Sequence, residues 1–373
     1  MKNWVGLSAK TFLYVTLTAF AAAAAADDDD DHDDDDDDND TYEESEISLS
    51  RTARFWLLLC FIIPSILCSF FLLFHLLINR ALRSQLANHV MIVLLVGGLL
   101  IELIDIPFHL SFFHSNYVQP STPALCQFWW FLDLGIYNGC IILMAWNSVE
   151  RYLLIYYDRL FRNRNKRLIL HYFSLAILVV YIMVFYVIAI IFPPCTNKYN
   201  YTLPVCNDFP CYLNHPVLGI MDSIVNNIVP VIIICVFNFI LVIRVYCQKR
   251  RLQQVNIWRK QRKMTVQLVC TCTLYLIPNM PLSIFIVARL CGLPEDTGVE
   301  FQIWFDFLCY FVPFLYPFIC LASASELRRK LNWRRLFLLE QHQLTATVRP
   351  QFTASGRPQV VTASVLPQVV SAV

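Results

Sequence analysis

Charged side chains are scarce. They make up 15% of the 373 residues, against 57% hydrophobic, where a soluble domain carries about 25% charged. That shortage excludes an ordinary water-soluble domain and leaves a membrane protein. Strand-like alternation of apolar and polar residues is also missing, so nothing argues for a transmembrane barrel. The apolar segments hold no Ser/His pair, no His-Glu-x-x-His and no Cys/His metal spacing; no enzymatic role, metal or cofactor is expected. The 14 cysteines are too scattered for a disulfide-dense scaffold, and those inside apolar runs suit small buried hydrophobes.

Seven apolar runs fill the middle of the chain, at about 55–79, 88–113, 124–156, 167–192, 216–246, 264–289 and 301–323. Each reaches the length of about 20 residues that a spanning helix needs. Backbone groups in lipid must be satisfied within their own segment, so helices are the expected form. The fold class is therefore an all-α membrane protein, a seven-transmembrane helix bundle. Alternate loops divide the basic residues unequally. Arg80 and Arg83 follow the first run, Arg159, Arg162, Arg164, Lys166 and Arg167 the third, and Lys249, Arg250, Arg251, Arg259, Lys260, Arg262 and Lys263 the fifth, whereas the opposite loops hold only Lys198 and Arg289. By the positive-inside rule the amino terminus is extracellular and the carboxyl terminus cytoplasmic, as in a multi-pass protein of the plasma membrane.

The ends differ in character. Residues 1–26 carry Lys2 and Lys10, then an apolar run ending in Ala21–Ala26. This is the pattern of a signal peptide, with an uncleaved anchor as the alternative. Residues 27–53 are dominated by Asp27–Asp31 and Asp33–Asp38. They form an acidic segment expected to be disordered and extracellular, with a glycosylation sequon at Asn39 and a second sequon further on at Asn200. The seven spans occupy 54–323. Residues 325–340 alternate leucine and aromatic with basic residues at helical spacing, as in Glu326-Leu-Arg-Arg-Lys-Leu, and suit a cytoplasmic interfacial helix on anionic lipid. Residues 341–373 repeat a short unit, Arg349-Pro-Gln, Arg357-Pro-Gln and Leu366-Pro-Gln, and are expected to be a disordered tail. Its last residues, Ser371-Ala-Val373, fit strand addition to a PDZ domain. No nucleic-acid partner is expected.

The third run ends in Asn147-Ser-Val-Glu-Arg-Tyr152, and Cys126 lies 25 residues before Arg151. Pro230 sits in the fifth run, Arg262-Lys-Met-Thr265 precedes Tyr275 and Pro281 in the sixth, and Pro317 with Glu326-Leu-Arg328 closes the seventh. Jointly, over about residues 54–339, these features resemble the rhodopsin-like family of G-protein-coupled receptors. The resemblance implies an extracellular ligand and a heterotrimeric G protein as partners. It implies a coupling switch at Glu150, Arg151 and Tyr152, with Pro281 and Pro317 kinking the helices that move. It also implies a disulfide from Cys126 to the second outer loop, which offers Cys195, Cys206 and Cys211. The preferred arrangement pairs Cys195 with Cys206 around the Asn200 sequon and leaves Cys211 for Cys126, with Cys206 as the alternative partner; spacing does not decide connectivity. Several positions depart from the family pattern. Ser69-Phe70 replaces Gly-Asn, Gly98 the sodium-binding Asp, Asn238 a tyrosine, Gln261 an acid, Asn279 the sixth-helix Trp, and Tyr316-Pro-Phe-Ile-Cys320 the usual Asn-Pro-x-x-Tyr.

Arg151 has a second reading as a cation snorkelling to the membrane edge. In the switch reading it pairs at rest with Glu150 or another acceptor, and the sixth helix moves outward to expose it. Intramembrane acids mark the ligand site, because a carboxyl group in a span should face the bundle interior. Asp105 lies in the outer half of the second run with Glu102 a turn deeper, and Asp306 in the outer half of the seventh. Asp133 lies seven residues after Cys126, about 10 Å along a helix. The resemblance places Asp133 where amine and opioid-type receptors hold a ligand's cation, and Tyr310 where it would hydrogen-bond that acid. The expected ligand is therefore an amine or a basic peptide, with Tyr137, Trp129, Trp130 and Trp304 as further lining. Structural hydrogen bonding is the other explanation of the acids. A transporter or channel is the rival class, although internal repeats and paired broken helices are missing. A receptor-like protein that binds ligand without coupling is a third. A retinal receptor is disfavoured because no lysine lies between 301 and 323.

Overall fold

The computed structural model describes residues 50–83, 85–156, 164–206, 209–248, 255–294 and 297–323. The signal peptide, the acidic segment with Asn39, the interfacial helix and the tail lie outside them. Among the described residues there is no strand, and seven helices are long and apolar enough to cross a membrane. They are α1 (Arg51–Ile78), α2 (Asn88–Ser115), α3 (Pro123–Leu154), α4 (Leu168–Ile191), α5 (Pro216–Ile243), α6 (Thr265–Leu290) and α7 (Phe301–Ala322).

Helix starts follow from local chemistry. Ser50 caps α1, its hydroxyl accepting from Ala53 N at 3.3 Å, so this helix begins before the apolar run itself does. Thr122 caps α3 and is followed by Pro123, whose missing N–H costs nothing in a first turn. His215 does the same for α5, its Nδ1 accepting from Val217 N, with Pro216 next.

Each helix has two apolar faces with different tasks. On α1, Leu58, Ile62, Ser65, Ser69, Leu72 and Leu76 are buried at spacings of three and four, while Ile63, Leu67, Phe70 and Phe74 lie exposed on the opposite side. The exposed stripe suits hydrocarbon, which is as apolar as the bundle interior. Helix α3 is the axis of the bundle: 67% of its most apolar window is buried, against 28% for α4 and α5. Close approach around it depends on small residues. A Cβ on Gly139 would stand 2.8 Å from Ile182 Cγ2, so α4 reaches α3 only because that position is glycine. Gly98 faces Pro313 of α7, and a Cβ there would make only an ordinary contact at 3.6 Å.

Several spans are interrupted by wide π turns, at Ile101–Asp105 in α2, Phe131–Ile136 in α3, Leu168–Phe173 and Val187–Ile191 in α4, and Asp222–Ile228 in α5. A π turn inserts a residue into the helical count and re-aims the side chains beyond it. Asp105, Asp133 and Asp222 all lie in such turns.

Gly139→Leu should separate α3 from α4. Overpacking of this kind costs about 1–3 kcal/mol, and thermal denaturation of the purified protein in detergent should occur several degrees lower than for the unaltered chain.

Candidate functional site

One end of the bundle is closed by two disulfides, Cys126–Cys206 and Cys195–Cys211. This corrects the preferred pairing: Cys126 takes Cys206, not Cys211. The loop before α5 explains why. Asn200 and Thr202 form a tight turn, with Asn200 Oδ1 accepting from Thr202 N at 3.1 Å and Thr202 Oγ1 at 2.6 Å. Asn200 N then bonds to Cys206 O at 2.9 Å, and Val118 N to Tyr201 O at 2.9 Å. The segment is thereby laid against the start of α3, and the left-handed backbone at Val205 and Cys206 (φ 55° and 59°) reverses the chain there. Cys206 is fully buried beside Phe112 and Trp129. Cys211 is held near Cys195 by its N–H, which donates to Asn197 Oδ1 at 2.9 Å.

Below this closure, three helices contribute to one polar cluster. Asp105 is completely buried, and its Oδ1 accepts from Trp129 Nε1 at 2.8 Å. One turn on, His109 Nε2 stands 3.6 Å from the same oxygen. Tyr310 of α7 completes the set. Its hydroxyl is 2.8 Å from His109 Nε2 and donates to Asp133 Oδ1 at 3.0 Å. With the phenol proton given to Asp133, the imidazole is the donor to Tyr310, which places its ring proton on Nε2. Asp133 and Tyr310 are half-buried, unlike Asp105. None of the partners of the two acids is a lysine or arginine. Asp105 Oδ2 has no hydrogen-bond partner, an expensive omission for a buried carboxyl oxygen.

The remaining expected ligand residues are placed differently. Tyr137 is half-buried a turn deeper, and its hydroxyl accepts from Asn279 Nδ2 at 3.0 Å, linking α3 to α6. Asp306 is exposed, unlike the buried Asp105, and lies one helical turn before Tyr310 on α7. Trp130 is buried and stacked on Tyr199 of the loop, with ring centroids 5.4 Å apart. Trp129, expected as lining, is instead the donor that holds Asp105. Asn200, the candidate glycosylation site among the described residues, is exposed. Glu102 is buried deeper in α2 and accepts from Ser65 of α1 at 2.6 Å; Ser65 also lies 2.9 Å from Phe314 O, so α1, α2 and α7 meet there.

At the other end of α3, Arg151 is buried, its Nε 3.5 Å from Asn147 Oδ1. The hydrogen bond of Glu150 goes to His171 of α4, where Oε1 meets Nδ1. His171 Nε2 lies 2.8 Å from His89 Nδ1, and His89 Nε2 lies 2.8 Å from Arg83 O. A carbonyl only accepts, so His89 donates to Arg83, and with a neutral ring its Nδ1 accepts from His171. His171 therefore needs a second proton, shared with Glu150, for its other bond. The result is a directed chain from Glu150 through two imidazoles to the turn before α2. Tyr152 turns away, its ring edge-on to Phe237 of α5 at 5.2 Å. Pro281 lies within α6 and Pro317 within α7. Among the departures, Asn279 also reaches back to Tyr275 O at 2.8 Å, and Tyr275 meets Tyr316 edge-on at 6.4 Å.

Sequence reasoning missed three residues here. His109 follows Asp105 by one helical turn, a signal visible in the chain. His89 and His171 lie 82 residues apart, and nothing local pairs them.

The family description "7 transmembrane receptor (rhodopsin family)" matches residues 70–320. The chain belongs to this family: it is a multi-pass membrane receptor and not an enzyme. No curated protein matches it.

Replacing His171 with Leu should leave Glu150 buried without its partner, at a cost of about 3–5 kcal/mol when one member of a buried pair is removed. The double variant Glu150→Gln/His171→Leu should recover part of that loss. Thermal denaturation of the two single variants and the double variant measures the coupling, and strictly additive losses would contradict the bond.

Proposed function

We propose that this receptor binds an extracellular cationic ligand, an amine or a basic peptide, at Asp133 and signals to a heterotrimeric G protein through Arg151. The observation that carries the reading is the Asp133–Tyr310 pair. A half-buried carboxylate is oriented across two helices by a phenol at 3.0 Å and, among the described residues, is paired with no lysine or arginine. A ligand ammonium entering between α3 and α7 would provide the missing charge, and Tyr310 would keep the carboxylate aimed at it. Asp105 sits one layer behind, and Tyr137 lies deeper, next to Asn279. Asp306, exposed on α7, would meet the outer part of a larger basic peptide.

In this reading the disulfide end faces outside the cell, Asn39 and Asn200 carry glycans, and residues 1–26 are removed as a signal peptide. The acidic segment at 27–53 concentrates basic ligands near the entrance by its charge. Ligand binding at Asp133 shifts α3 against α6 through the Tyr137–Asn279 contact. The kinked α6, with Pro278 and Pro281, swings outward at its far end and uncovers Arg151 for the G protein, while Glu150, Tyr152 and Pro317 set the resting arrangement. Ser371-Ala-Val373 would serve as a ligand for a PDZ domain. The altered sixth- and seventh-helix positions favour a second reading, a receptor that binds ligand without coupling.

The test is a screen of amines and basic peptides on cells expressing the chain, with G-protein nucleotide exchange as readout. A hydrogen bond to a charged group is worth about 1.5–3 kcal/mol, so Asp133→Asn should weaken the active compound about 10- to 100-fold. Unchanged affinity removes Asp133 as the anchor. Arg151→Ala should abolish exchange while leaving ligand binding intact; undiminished exchange in that variant refutes the switch, and ligand binding with no exchange in the unaltered chain selects the second reading.

A further inference from the structure

The polar cluster at the disulfide end has a composition that an amine site does not require. It contains two carboxylates and an imidazole, offered from α2 and α3. One ligand atom each from Asp105, His109 and Asp133 falls within a sphere of contacts no wider than 4.8 Å. Zinc bonds to nitrogen and oxygen of about 2.0–2.2 Å place tetrahedral ligand atoms about 3.3–3.6 Å apart. His109 Nε2 and Asp105 Oδ1 already stand at 3.6 Å. Asp133 must close by about an ångström to reach the same spacing, within the range of a half-buried side chain on the wall of the cluster.

Two further observations point to a cation. Asp105 Oδ2 is a fully buried carboxyl oxygen with no hydrogen-bond partner. It is costly to leave as it stands and is available to ligate. Neither Asp105 nor Asp133 is matched by a lysine or arginine, so a divalent cation would neutralise both carboxylates at once. The single imidazole selects the metal. Mg²⁺ and Ca²⁺ seek six or more oxygens, whereas a mixed nitrogen and carboxylate set with few ligands suits Zn²⁺.

We infer that Asp105, His109 and Asp133 form a Zn²⁺ site that clamps α2 to α3 beneath the Cys126–Cys206 disulfide. Zn²⁺ takes the Nε2 lone pair of His109, so the ring proton now directed at Tyr310 moves to Nδ1, giving the other neutral tautomer. Two carboxylate oxygens complete three protein ligands, and the fourth position is left for water or a ligand atom. Tyr310 is a positioning residue: its hydroxyl aligns His109 and Asp133 before the metal arrives. The site stands independently of the amine reading. Where both hold, Zn²⁺ and a cationic ligand compete for Asp133.

The experiment uses the purified full-length protein in detergent with Co²⁺ and Zn²⁺ as probes and no G protein. Co²⁺ in a four-coordinate site absorbs strongly in the visible, whereas Co²⁺ on the carboxylates of residues 27–46 would be six-coordinate and nearly colourless. The expected result is about one strongly absorbing Co²⁺ per chain, displaced by Zn²⁺ and not by Mg²⁺, and a Zn²⁺-dependent rise in denaturation temperature. Asp105→Asn and His109→Gln should each weaken Zn²⁺ binding at least about tenfold and abolish the thermal rise, while Tyr310→Phe keeps the absorbing site. Absence of the four-coordinate signal in the unaltered chain overturns the proposal whatever the variants do. So does a signal of full strength in both Asp105→Asn and His109→Gln.

Discussion

Among the described residues four buried carboxyl groups have to be satisfied inside this bundle, and each one finds a hydrogen bond on another segment of the chain. Glu102 of α2 is met by Ser65 of α1, Asp105 of α2 by Trp129 of α3, and Glu150 of α3 by His171 of α4. Asp222 of α5 accepts from Tyr186 of α4 at 2.8 Å and from Tyr212 of the preceding loop at 3.2 Å. Apolar packing gives little direction in lipid, since a leucine is as comfortable against a hydrocarbon tail as against a neighbouring helix. A buried acid has no such freedom. Its cost when unpartnered sets the register of each helix against the next, from α1 to α5.

The wide turns in the spans belong to the same constraint. Straight helices would present residues at fixed intervals of 3.6 per turn. The π turns at Asp105, Asp133 and Asp222 change that phase where an acid is aimed, and a local loosening of the helix is the means of delivering a polar side chain to a partner across the bundle. Glycine works in the opposite direction. At Gly139 the absence of a side chain lets Ile182 of α4 approach α3 closely.

The family departures also acquire physical content. Asn279 stands where a large aromatic is usual, and it bridges to Tyr137 and to its own helix at Tyr275. Tyr275 in turn meets Tyr316, the residue that replaces the usual asparagine before Pro317. Tyr137, Asn279, Tyr275 and Tyr316 form one contiguous line from α3 through α6 to α7. The substitutions among them are better understood as a replaced contact set than as separate losses. Of these helices α3 carries Asp133 of the polar cluster toward one end and Glu150 and Arg151 at the other.

Much of this was legible in the chain. Run length and hydropathy determined the seven helices, because a bilayer demands about 20 apolar residues and internal backbone hydrogen bonding whatever the neighbours are. The spacing of Cys126, Arg151 and the prolines determined the family, and the Asp133–Tyr310 pairing followed from it. Tertiary structure alone decided the rest. Asp306 and Asp105 have the same sequence signature, an acid in the outer half of an apolar run, yet one is exposed and the other completely buried; how much of a neighbouring helix or loop covers each is a property of the assembled bundle. The disulfide connectivity rested on how one loop folds back over α3. His171 and His89 became partners of Glu150 only through the packing of α2, α3 and α4. Periodicity along one helix carries no record of which side chain on another helix will stand opposite.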